Sequence, residues 1–138
     1  MANEALVSTV KSIVAAARAG KRDEAYAGYR ELFASAAFPG YEPNEQRQAL
    51  RLMVHAKGIP SPAPPAVVEA HRAAIAPLAR LVEAHKDPAD YEMLGMCHEA
   101  VGDEKSAATA YREGLTIERE RNPQSDLCGA LMRRISLI

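Results

Sequence analysis

Residues 87–115 read DPADYEMLGMCHEAVGDEKSAATAYREGL and carry the clearest helical signals in the chain. Asp87 can cap a helix with its carboxylate, and Pro88 suits the first helical position, where no backbone donor is needed. The following residues to Ala100 carry two apolar stripes at helical spacing: Tyr91, Leu94 and His98, and then Met93, Met96, Cys97 and Ala100. Gly102 and Asp103 turn the chain, and a second helix is predicted over 104–120. Two helices joined by so short a turn lie antiparallel. Gly95 and Ala107 are small enough to let them touch, so this segment reads as a tight helical hairpin.

Upstream, the same signals recur. Leu6, Val10, Ile13, Val14 and Ala17 predict a helix over 4–18, stopped by Gly20. Ala25, Tyr26, Tyr29, Leu32 and Phe33 predict another over 22–36, with Asp23 and Glu24 in its first turn, where the helix dipole favours acids. Phe38-Pro39-Gly40-Tyr41 is a turn. A third helix runs from Pro43 to Lys57, with Ala49, Leu52, Met53 and Ala56 on one face and Gly58 closing it.

Residues 59–65 are rich in proline and form a stiff extended linker inside the domain. A fourth helix over 66–85 carries the stripe Val67, His71, Ala74, Ile75, Leu78, Leu81 and Val82. Because the stripe continues unshifted past Pro77, that proline predicts a kink rather than a break. Asn122-Pro123 repeats the cap-plus-proline signal ahead of a seventh helix with Leu127, Ala130, Leu131, Ile135 and Ile138. No window alternates in the manner of a strand. The expectation is one all-α domain over 1–138, built from stacked antiparallel hairpins with a C-terminal capping helix.

Tyr91, Leu94, Gly95, His98, Gly102, Ala107, Tyr111 and Gly114 follow the spacing of a tetratricopeptide repeat, and residues 88–121 resemble one such unit. His98 stands where that repeat usually has a large apolar residue. Gly114 stands where alanine is commoner, at about 1 kcal/mol in a helix interior. A weaker echo lies at 6–39, where Gly20, Ala25, Tyr29 and Leu32 match Gly102, Ala107, Tyr111 and Leu115. The resemblance covers about half the chain. It implies a short α-solenoid whose first helix in each pair lines a concave face. On that face it places Ala89, Glu92, Met96 and Glu99. An adaptable methionine between two acids suits an amphipathic or basic peptide.

Composition narrows the partners. The 138 residues carry a formal net charge of −1, which supplies no concentrated positive field for nucleic acid or an anionic membrane. Arg119, Arg121, Arg133 and Arg134 are interleaved with Glu118 and Glu120 and read as a solvated face. No apolar run is long enough to span a bilayer, and Met1-Ala2-Asn3-Glu4 does not begin a signal peptide, so a cytoplasmic setting is expected. The two cysteines, Cys97 and Cys128, make no disulfide framework.

Catalytic chemistry is not expected. His55, His71, His85 and His98 lack a second ligand three or four residues away on the same helical face, so no metal or other cofactor is predicted. His71 reads as a hydrogen-bonded core histidine, and Cys97 and Cys128 as inert buried thiols. Asp87 and Asp90 read as a cap and a solvated acid. Met93 is assigned to core, and Met96 equally to core or groove.

The leading expectation is a non-catalytic protein-interaction module, an adaptor or chaperone. The alternative is a self-associating structural protein that pairs through its third or seventh helix. A small enzyme or ligand binder using His71, His98 or Cys97 comes last.

Overall fold

The structure, a computed structural model, describes residues 3–138. Those residues form seven α-helices and no strand: α1 (Glu4–Arg18), α2 (Arg22–Ala34), α3 (Pro43–Val54), α4 (Pro65–His85), α5 (Pro88–Ala100), α6 (Glu104–Arg121) and α7 (Asp126–Ser136). One 3-10 turn, Phe38–Gly40, lies where the sequence marks a turn. The chain divides into two compact units, Met1–Pro77 and Leu78–Ile138, and the division falls within α4. That helix runs through Pro77 without a break.

In the first unit α1 packs on α2. Asn3 caps α1 by accepting from the Leu6 amide at 3.0 Å. Gly20, at φ +80°, supplies the left-handed stop that lets the chain reverse. Gly28 lets the two helices meet, since a Cβ there would lie 2.8 Å from Cγ1 of Ile13. A run of rings continues from α2 into the turn. Centroids are 5.8 Å apart for Tyr26–Tyr29, 5.7 Å for Tyr29–Phe33 and 5.3 Å for Phe33–Phe38. The Gln46 amide, buried in α3, donates to the carbonyls of Tyr41 at 2.8 Å and Pro39 at 3.3 Å, tying α3 to that turn.

Several boundaries move for local reasons. α2 ends at Ala34 because both the amide and the hydroxyl of Ser35 turn back to the Leu32 carbonyl. α3 ends at Val54, where the Ala56 amide reaches back three residues to Met53 and leaves the α-helical ladder. Pro65 is the first residue of α4 rather than the last of the linker.

One predicted stripe also moves. The buried face of α3 is Gln46, Ala49, Leu50, Met53 and Val54, which leaves Leu52 48% exposed and Ala56 exposed. Gln46 extends the buried face because its Nε2 donates to two backbone carbonyls, and no buried side-chain polar atom among the described residues lacks a partner.

In the second unit α5 packs on α6, and α6 on α7. Asp87 accepts from the Ala89 amide at 3.0 Å, and Asp103 from the Ser106 amide at 3.1 Å. Gly102, at φ +85°, makes the turn between them.

The hairpin is closed by a reciprocal fit of glycines and tyrosines. Gly95 of α5 lies against the ring of Tyr111 in α6; a Cβ there would have Cζ of that ring only 2.7 Å away. Gly114 of α6 lies against Tyr91 of α5; a Cβ there would be 2.8 Å from that residue's Cβ. Gly114 is thus a further small residue that the crossing needs beside Gly95. Its helix-propensity cost is offset by the close approach it allows. Ala107 is fully buried with Tyr111, Leu115, Cys128 and Leu131. The cap of α7 is Ser125, not Asn122. The Ser125 hydroxyl accepts from the Cys128 amide at 3.2 Å and donates to Glu118 at 2.7 Å, while Asn122 ends α6.

Candidate functional site

The four residues placed on a concave face, Ala89, Glu92, Met96 and Glu99, turn out to be engaged within the second unit to very different degrees. Ala89 is half-buried and donates its amide to the Asp87 cap. Glu92 is buried, 9% exposed, and its Oε2 accepts from Nε of Arg134 in α7 at 2.9 Å. Met96 is half-buried and packs on the cluster of Ala107, Tyr111, Leu115, Cys128 and Leu131. Glu99 is exposed, and its carboxylate accepts a short hydrogen bond from the Tyr111 hydroxyl.

The Arg134 guanidinium also sits 6.0 Å from the Tyr111 ring centroid, within cation–π reach. Burial, reinforced by the Glu99 hydrogen bond, raises the Tyr111 hydroxyl well above the ordinary phenol range. Arg134, Glu92, Tyr111 and Glu99 thus join α7, α5 and α6 in one polar network over an apolar cluster. Met93 and Cys97 of α5 are both fully buried.

The other candidate groups also have structural work. His71 of α4 bonds the Val67 carbonyl through Nδ1 at 2.8 Å and stacks on Tyr26, with centroids 6.4 Å apart. Burial lowers its pKa below the ordinary imidazole value. Cys97 has its thiol pushed up to about 12 by burial, far from the thiolate a nucleophile requires. The Cys128 thiol donates to the Asn122 carbonyl at 3.5 Å. Asp90 is fully buried rather than solvated, because α5 is enclosed on nearly every side. Among the described residues, no group of three or more His, Cys, Asp or Glu side chains could hold a metal ion. No helix of the structure is long and apolar enough to cross a membrane.

A different surface in the first unit stands open. Leu6, Val7 and Val10 of α1 and Ala49 and Leu52 of α3 line a cavity of about 160 Å³, rimmed by Lys11, Glu45 and Gln48. Val7 is 37% exposed. The pairing is set at one end, where the Asn3 amide donates to the Glu45 carboxylate at 3.1 Å. Leu52, on the core stripe predicted for α3, faces this groove instead. The signal that could have found it is Val7, an apolar residue outside the predicted face of α1.

No known protein family, curated protein or solved structure matches this chain.

Proposed function

We propose that the chain is a non-catalytic protein-binding module of tetratricopeptide-like hairpins, and that it holds an amphipathic helix of a partner protein in the groove between α1 and α3. Two sets of observations support this reading. The first concerns the hairpins: α1–α2 and α5–α6 use the same parts in the same order. Gly20 and Gly102 both turn with positive φ. Ala25 and Ala107, Tyr29 and Tyr111, and Leu32 and Leu115 are all buried. In such a stack the first helix of each pair lines the ligand face, and α1 is the first helix of its hairpin.

The observation that carries the functional reading is the open apolar groove itself. Its volume of about 160 Å³ is well below the ~300–1,000 Å³ of sites that enclose a small molecule. Its apolar floor and exposed Val7 and Leu52 suit side chains inserted from another helix. Glu92 pairs with Arg134 of α7 and Met96 packs on a core cluster, while Val7 and Leu52 are exposed.

Selection from a library of displayed amphipathic peptides of about 16 residues tests the reading. The expected winners carry apolar residues at i, i+3 or i+4 and i+7. Their binding is lost in Leu52→Asp while the melting temperature stays within about 2 °C, because Leu52 is half-exposed. Winners that bind Leu52→Asp as tightly as the parent would dismiss the groove.

One observation favours a second reading, self-association. Large apolar side chains are exposed on α3 at Leu52 and on and just beyond α7 at Met132, Leu137 and Ile138. Light scattering over a concentration series separates the two: a dimer that survives Leu52→Asp but not Met132→Asp points to α7.

A further inference from the structure

We infer that the α1/α3 groove is electrostatically graded, and that it takes a partner helix whose charge changes sign along its length, basic at one end and acidic about two turns away. This rests on the groove reading above and adds the chemistry and polarity of the occupant.

The argument starts from the register of the two helices. The Asn3 amide meets the Glu45 carboxylate at 3.1 Å, so the starts of α1 and α3 lie together. Lys11 and Leu52, both further along, line the same cavity, so the two helices run in the same direction. Their charges then fall into two zones. Glu45 lines the cavity at the first end, and Glu4 stands outside it, beside Val7 on the adjoining face of α1. Lys11 lines the cavity at the second end, and Arg51 stands outside it, beside Leu52 on the adjoining face of α3; both are exposed.

Seven residues of α-helix separate Glu4 from Lys11, and six separate Glu45 from Arg51, so each helix changes sign over about 10 Å. The helix dipoles do not produce this pattern. They place partial positive charge at the end where the acids stand. A uniformly basic helix would meet attraction at one end and repulsion at the other, and a uniformly acidic helix the reverse. Only an occupant with opposite charges about two turns apart, flanking an apolar stripe, is matched along its whole length.

The cavity shape agrees. Its apolar floor of Leu6, Val10 and Ala49 takes aliphatic side chains, while the charges stand at the rim, where they set orientation and partner choice rather than carry most of the affinity.

The test uses the full chain and three synthetic peptides of about 16 residues with one common leucine stripe. The first has lysines in one half and glutamates in the other, the second lysines throughout, and the third glutamates throughout. Fluorescence anisotropy is expected to give tightest binding for the first, by about three- to tenfold, since exposed pairs are individually weak but several act together. That preference shrinks when salt rises from about 0.05 to about 0.5 M. Lys11→Glu with Arg51→Glu is expected to switch the preference to the all-lysine peptide.

Equal binding of all three peptides, lost in Leu52→Asp, overturns the graded groove and leaves the docking surface standing. No binding of any peptide, or binding indifferent to Leu52→Asp, overturns both. A dimer in solution that dissociates on Leu52→Asp overturns the partner helix in favour of a second copy of the chain.

Discussion

The fit of Gly95 beneath Tyr111 makes a sharp prediction, because two opposing effects of known size meet at one atom. In Gly95→Ala the helix gains about 1 kcal/mol from propensity alone. The new methyl, however, must share space with a ring whose nearest atoms would all lie within 2.7 Å, against an ordinary carbon–carbon separation of about 3.5–4.0 Å. Tyr111 is fully buried, and its hydroxyl is held by Glu99, so the ring has no free direction of retreat. Overpacking of a core typically costs about 1–3 kcal/mol, and this overlap belongs at or above the top of that range. The propensity gain offsets only part, leaving a net loss of about 2 kcal/mol. In urea, with a slope of about 2 kcal/mol per molar, the midpoint drops by about 1 M.

Gly129 in α7 is the control. A Cβ there meets nothing within 4 Å, so Gly129→Ala should raise the midpoint through propensity alone. Replacing Tyr111 by leucine should reduce the Gly95→Ala penalty in a double-mutant cycle. A Gly95→Ala protein as stable as the parent would refute the reasoning that glycine is required by packing at the crossing.

Two further outcomes follow from the polar groups. Arg134→Ala leaves the buried Glu92 carboxylate without this ion pair and Tyr111 without its cation; a loss of about 2 kcal/mol in a thermal melt is expected, and Arg134→Lys should restore only part of it, because lysine lacks the planar donor fork. His71 is buried and its folded pKa lies below the ordinary 6.5, so the unfolded chain takes up the proton first as pH falls. Its contribution to stability is therefore whole above about pH 7 and declines as pH drops through 6.5. His71→Gln should flatten that part of a stability–pH profile measured between about pH 7.5 and 5.5, and an unchanged profile would remove His71 from the acid response.

The sequence also shows where such reasoning reaches its limit. Helix positions and stops are written in local chemistry. Asp87 with Pro88, Gly20, Gly102 and Asp103 act through their own backbone and nearest neighbours, and the bounds of α1 and α5 coincide with those read from the sequence. The identity of Ser125 as the α7 cap was less legible. Asn122 offers an equally good side chain, and the choice was made by Glu118, seven residues away in the preceding helix.

The all-α class and the inward stripes of most helices are legible in the chain alone, because helical period and capping depend on residues within a turn of one another. Which side of a helix is left over was decided only by tertiary packing. Leu52 and Met96 have much the same apolar character in the sequence, yet Leu52 faces the α1/α3 groove and Met96 packs on a core cluster. Glu92 lies on the predicted ligand face of α5, yet it is buried because half-buried Arg134, far along the chain, pairs with it. A side chain's burial depends on what a distant segment brings to it, and periodicity within one helix carries no record of that segment.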